Sequence, residues 1–151
     1  MDLTYDDGQP HNCESIAVDP QTGDLVVITK SYDGDTRVYV KPGPHLDGDV
    51  AVLTEIAALD TASEPFSGSE ATTAADFSPQ GNLLAVRTYS HVWLFRRDAS
   101  APLADAFDRA PCDGGAPSEQ QGESVAYATD GSGYFMLSEG IEQPLNYVSL
   151  E

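Results

Sequence analysis

Basic side chains are scarce in this chain. Seven Lys and Arg stand among 151 residues, and only Lys30 and Lys41 are lysines, against 25 Asp and Glu. The formal net charge of −18 repels nucleic-acid phosphates and anionic membranes, so neither is expected as a partner. The plain reading of the excess is a solvated acidic surface; a sharper one is adaptation to high salt, or binding of a cation such as calcium. No apolar run approaches the roughly 20 residues that cross a bilayer. Met1-Asp2-Leu3-Thr4-Tyr5-Asp6-Asp7 lacks the basic and apolar regions of a signal peptide. Two readings of compartment follow: cytoplasmic, or secreted or periplasmic if these residues lie inside a longer precursor. Two cysteines, Cys13 and Cys112, are too few for a four-ligand zinc site and sit in no C-x-x-C motif. Each precedes the start of a repeat, which leaves open a disulfide, if the Cα atoms come within about 7 Å, or two free thiols. The chain also lacks a G-x-S-x-G elbow, a glycine-rich phosphate loop ending in lysine, an H-E-x-x-H helix and an N-x-[ST] site.

What the chain does have is one motif in three copies: Glu14–Lys30 (ESIAVDPQTGDLVVITK), Thr73–Thr88 (TAADFSPQGNLLAVRT) and Glu123–Glu139 (ESVAYATDGSGYFMLSE). Each is a short apolar strand, a turn of Pro, Asp, Thr or Gly, and a second, more hydrophobic strand. Ser15, Ala74 and Ser124 are equivalent, at spacings of 59 and 50 residues. Strand repeats near 50 residues predict propeller blades. The expected fold is all-β, an arc of three four-stranded antiparallel blades over residues 14–56, 73–108 and 123–150. The expected strands are Ser15–Val18, Leu25–Lys30, Arg37–Lys41 and Val50–Ile56; then Ala74–Phe77, Leu83–Thr88, His91–Arg96 and an outer strand near Leu103–Phe107; then Ser124–Ala128, Tyr134–Ser138 and Asn146–Leu150. Residues 57–72 and 109–121 read as loops. Asp2–Tyr5 is placed as the closing outer strand of the third blade.

Three blades are fewer than the 4–8 of a typical ring, and an open arc leaves blade faces bare at both ends. The chain is therefore expected to be part of a larger propeller with further blades before it, a homodimer closing a six-blade ring, or an arc capped by its own loops. The first is favoured for its origin, and the two-chain ring if the chain is stable alone.

The segment Asp7–Lys30 (DGQPHNCESIAVDPQTGDLVVITK), with Asp76–Tyr89 and Gln121–Gly140, resembles the C-terminal half of bacterial secreted propellers of the phytase-like, WD40-like or NHL-like type. The resemblance implies a propeller, secretion and, through the phytase-like branch, a metal-assisted hydrolase of phosphate or carboxylic esters.

In a propeller the first strand of each blade lines the central channel. Glu14, Thr73 and Glu123 hold one equivalent position at its mouth. Two carboxylates there can hold a hard cation such as calcium, act as an acid and base pair, or simply remain solvated or accept backbone hydrogen bonds. Lys30, Arg87 and Glu139 fall at the ends of the second strands. Two cations kept against this acidic background predict ion pairs with Glu14 and Glu123, or a clamp on an anionic ligand. Asp33-Gly34-Asp35 and Asp47-Gly48-Asp49 are fragments of calcium loops and read first as turns. His11, His45 and His91 show no ligand spacing; Tyr39, Trp93 and Phe95 read as packing residues. The preferred function is a non-enzymatic binding or scaffold module without a cofactor, taking a small anionic ligand or a protein segment at the channel face. The hydrolase is the alternative, with calcium as its cofactor.

Overall fold

In the computed structural model, which describes residues 1–59, 70–98 and 100–150, the repeats build three separate sheets, antiparallel except for one parallel edge strand in the first. The first takes β1 (Asp2–Tyr5), β2 (Cys13–Val18), β3 (Leu25–Thr29), β4 (Thr36–Lys41) and β5 (Val50–Leu59), in the order β1-β5-β4-β3-β2. The second takes β6 (Thr72–Phe77), β7 (Leu83–Thr88), β8 (Val92–Arg96) and the two-residue β9 (Cys112–Asp113); the third takes β10 (Gly122–Tyr127), β11 (Gly133–Ser138) and β12 (Asn146–Ser149). The chain is all-β, an arc of three propeller blades. The strand counts are five, four and three rather than four in each.

Two expected outer strands are corrected. Asp2–Tyr5 does not reach the third blade; it pairs parallel with β5, Asp2 opposite Val50 and Tyr5 opposite Leu53, at the outer edge of the first. Its Leu3 and Tyr5 pack onto the cluster of Leu25, Val27, Tyr39 and Leu53, which gives these apolar side chains a nearer burial site. Leu103–Phe107 is a 3₁₀ turn, entered from Pro102. Its apolar residues stand at positions 103, 106 and 107, a helical spacing, and pack into the seam between the first two blades. Cys112–Asp113 supplies the outer strand instead, opposite Leu94 and Trp93. Cys13 and Cys112 are free thiols. Most of the expected loop over 57–72 lies outside the described residues, and β5 runs on to Leu59.

The repeats are equivalent in detail. In each blade the pairing of the first two strands slips at the same place, between Cys13 and Ser15, Thr72 and Ala74, and Gly122 and Ser124. Glu14, Thr73 and Glu123 are therefore the extra residues of three equivalent β-bulges. A bulge leaves its residue out of the ladder and re-aims its side chain.

Strand β6 lies between β2 and β10, so the first strands are the innermost ones. Period-two alternation then gives each inner strand one side for each neighbour. Ala17, Val26, Ile28 and Val38 meet Ala75, Phe77, Leu84 and Val86 in the first seam. Ala85, Val92 and Leu94 meet Val125, Tyr134 and Met136 in the second. Phe95 and Trp93 belong to the first seam and Tyr39 to the outer cluster of blade one, as packing residues. Burying such a side chain stabilises the fold by about 1.5–3 kcal/mol.

Polar ties cross the same seams. Thr72 Oγ1 donates to the Thr29 carbonyl at 2.8 Å and Thr73 Oγ1 to the Gly122 carbonyl at 2.7 Å. The Tyr127 amide donates to Asp76 Oδ2 at 2.7 Å. Arg97 holds both oxygens of Asp19 at 2.6 and 2.8 Å and donates through Nε to the Gly81 carbonyl.

Candidate functional site

At the bulge end of the inner strands the three blades leave an open cleft of about 600 Å³, lined by Glu14, Lys30, Tyr32, Tyr89, Glu123 and Glu139, with Ser124, Leu137 and Ser138. Two rows of equivalent positions meet there. The bulges supply Glu14 and Glu123, while the third bulge residue, Thr73, is buried and turns to the Gly122 carbonyl. The registers Ser15–Ile28, Ala74–Arg87 and Ser124–Leu137 place Lys30, Tyr89 and Glu139 in the second row, each two residues past that pair. Four of the expected site residues, Glu14, Lys30, Glu123 and Glu139, therefore line one cleft.

Arg87 does not. It stands two residues earlier than Lys30 in the repeat, on the same side of the strand but deeper, where period-two geometry puts it inside the second seam. It is fully buried. Its Nη2 bonds Glu119 Oε2 at 2.6 Å, and Nη1 lies 2.9 Å from the sulfur of Met136. Glu119 also accepts from Asn146 Nδ2 at 2.6 Å. Burial pushes the arginine's pKa down, and the negative charge of Glu119 works against that shift. A Cβ at Gly122 would lie 1.7 Å from Nη2, so only glycine lets the guanidinium pass beneath the bulge. Arg87 has an ion-pair partner, but it is Glu119 rather than Glu14 or Glu123.

Lys30 is buried to its tip. Its Nζ donates to Glu14 Oε2 at 2.5 Å and to Tyr89 Oη at 2.6 Å, and sits 4.5 Å from the Tyr89 ring centroid. Burial works to lower the amine's pKa, but the bonds to Glu14 and Tyr89 outweigh it and the pKa is pushed up. Its charge is committed to the protein. Glu123 and Glu139 have no such cation. Burial, then the charges of Glu14 and Glu139, push the Glu123 carboxyl up, against the pull of Lys30 and Arg87. The cleft thus carries three carboxylates and one already paired ammonium, beside Tyr32, whose residue surface is 57% exposed.

Among the described residues no three His, Cys, Asp or Glu side chains are grouped to hold a metal ion. Gly34 and Gly48 sit at φ +87° and +78°, the left-handed conformation of turns, and Asp33 caps its own turn through Ser31. His91 stacks on Trp93 at 5.2 Å and lies 3.4 Å from Glu70; His11 pairs with Asp7 at 2.8 Å, and His45 bonds the Gly23 carbonyl. Sequence reasoning missed Tyr32, Tyr89 and Glu119. Exact superposition of the repeats at their bulges marks Tyr89 as the counterpart of Lys30 and Glu139. Glu119 lies outside the repeat and carries no such mark.

No family model matches the sequence, and no curated protein matches it. Solved structures do. The periplasmic gluconolactonase PpgL of Pseudomonas aeruginosa is similar at 15% identity and a TM-score of 0.53, over 89% of this chain and 40% of that one. Chaetomium thermophilum Sqt1, solved bound to the N-terminus of the ribosomal protein L10, is similar at 15% identity and a TM-score of 0.50, over 95% of this chain and 47% of that one. The chain spans less than half the length of either. At this identity the likeness speaks to the fold alone, and the fold is that of a β-propeller, of which this chain forms three blades.

Proposed function

We propose that this chain is a non-enzymatic binding module whose channel-mouth cleft takes a protein segment presenting a basic group, a Lys or Arg side chain or an amino terminus. The charge of the cleft carries this reading: Glu123 and Glu139 stand beside a lysine already paired with Glu14. A small anion finds little support here, because Arg87, the second arm of an anion clamp, is bound to Glu119 beneath the surface. The open cleft and the exposed ring of Tyr32 suit an extended chain stacking an aliphatic stem or a guanidinium. That Sqt1 was solved with a protein N-terminus bound is in keeping with a segment as partner.

Fluorescence anisotropy with a labelled hexa-arginine peptide, at physiological salt to screen the general acidity, tests the proposal. The double variant Glu123→Gln/Glu139→Gln is expected to weaken binding about tenfold or more, since a charge-assisted hydrogen bond is worth about 1.5–3 kcal/mol. Asp47→Asn/Asp98→Asn removes the same charge elsewhere and should have a small effect. Equal losses from the two pairs would show that only net charge is felt.

A second reading, hydrolysis of a phosphate or carboxylic ester assisted by calcium, has one supporting observation. Glu123 is a carboxyl of raised pKa facing two other carboxylates in a cleft. Turnover of p-nitrophenyl esters in millimolar calcium, abolished by Glu123→Gln, would favour it.

A further inference from the structure

The two end faces of the arc occupy the same repeat positions as the two faces that meet in its first seam. The face that blade one turns toward blade two is Ser15, Ala17, Val26 and Ile28. By the common register its counterpart on blade three is Ser124, Ala126, Phe135 and Leu137. The first set is buried, at 0–6% exposure, against blade two. Among the described residues no other blade covers the second: Phe135 is 39% exposed and Leu137 41%, with Tyr147 of the same blade beside Phe135 at 4.9 Å. The receiving face of blade two is Ala75, Phe77, Leu84 and Val86, and its counterpart on blade one is Ile16, Val18, Leu25 and Val27. There, Ile16 and Val18 on the innermost strand are 61% and 56% exposed, while Leu25 and Val27 already lie buried beside Leu3 and Tyr5, so the open part of this face is its inner-strand half. The chain thus ends on one side with a small-small-large-large apolar face, and on the other with the kind of face that such a surface meets in its own first seam.

We propose that two copies of this chain close into one ring of six blades, blade three of each copy packing on blade one of the other. A two-fold rotation covers both end faces at once and leaves no further surface for growth. Six blades fall within the usual range of about 4–8. Charge agrees with shape. In the first seam the end-of-strand positions hold Lys30 and Tyr89, 2.6 Å apart. In the seam between copies the equivalent positions hold Glu139 and the Lys30 of the other copy, an acid facing a base. The partner copy also contributes its Glu14 and Lys30 to the mouth beside Glu123 and Glu139, so the channel face is complete only in the pair. The inference does not rest on a ligand at that face, but in the pair the other copy's Lys30 stands against Glu139, which leaves Glu123 as the carboxylate of blade three open to a basic group.

Light scattering on the intact chain tests it. The expected mass is about 32 kDa, twice the 16.1 kDa of one chain. Phe135→Asp and Ile16→Asp should each raise the dimer dissociation constant about a hundredfold or more, because each places a charge in an apolar seam. The far-ultraviolet spectrum of the fold should be retained, since Ile16 is exposed and Phe135 partly exposed in the single chain. Mixing the two variants regenerates one seam without substitutions, so a mixed dimer should form where neither variant dimerises alone. A monomer of 16.1 kDa at high micromolar concentration overturns the proposal and leaves the end faces to other blades. So does a dimer indifferent to both substitutions, or an open series of larger species.

Discussion

The two seams of this arc solve the same problem with charges of very different quality. In the first, Arg97 is buried with every nitrogen bonded, two to Asp19 and one to the Gly81 carbonyl. In the second, Arg87 is buried just as deeply, but one nitrogen bonds Glu119, another faces a thioether, and Nε has no partner among the described residues. The first pair sits past the ends of β2 and β8, at the turn end of the blades. The second lies under the bulge of Gly122, directly beneath the cleft. A well-satisfied buried pair costs little against an apolar alternative, whereas an incomplete one is a liability. The incompletely bonded arginine thus lies under the candidate site, and the fully bonded clamp lies at the far end of the blades.

The largest expected effects come from breaking either pair. Asp19→Ala and Glu119→Ala each abandon a buried guanidinium, at a cost of about 3–5 kcal/mol. Asp19→Ala should fall at the upper end of that range because it removes two charge-assisted bonds, and Glu119→Ala at the lower end. Urea denaturation of the two variants measures the difference. The double variant Arg87→Met/Glu119→Met should recover most of its loss, because the apolar isostere does without desolvated charge, whereas an apolar replacement of Asp19 and Arg97 should recover less, because it also strips the Gln21 amide and the Gly81 carbonyl of their partners. Equal costs for the two single variants would erase the distinction between the seams.

A smaller effect is set by pH. Burial works to raise the Asp19 carboxyl, but the bonds from Arg97 and the Gln21 amide prevail, and its pKa lies below the ordinary 3.8. A depressed folded-state pKa means that the pair's contribution is fully present above 3.8 and is lost as pH falls through the lower folded value. Acid unfolding should therefore steepen below pH 3.8 in the parent chain, and that steepening should be weaker in Asp19→Asn. An identical acid limb in both would remove Asp19 from the account.

The blades were legible in the sequence because their signal is repeated. Three copies of strand, turn and strand, with Ser15, Ala74 and Ser124 in register, put Glu14, Thr73 and Glu123 at one equivalent position at the channel mouth; that each is the extra residue of a β-bulge carried no sequence signal. Features that occur once were not legible. Asp2–Tyr5 is four residues with no preference for one sheet edge over another, and the burial of Leu3 and Tyr5 on blade one decided its place. Leu103–Phe107 is apolar enough for a strand, but its spacing is helical and it follows Pro102. Arg87 misled because scarcity marked it as functional while its depth in the strand was misjudged by two residues. At strand period that keeps the face and changes burial from rim to core. Its partner Glu119 lies in a loop with no repeat to align it.

The most direct test of the account is the titration of the Glu123 carboxyl by carbon NMR, in the parent chain and in Glu139→Gln. Burial, with the charges of Glu14 and Glu139, predicts a pKa above the ordinary 4.5, and convergence of the blade ends predicts that it moves down when the charge of Glu139 is removed. A Glu123 that titrates at 4.5 and ignores the loss of Glu139 would mean that the carboxylates do not share one cleft, and the proposed site would lose its basis.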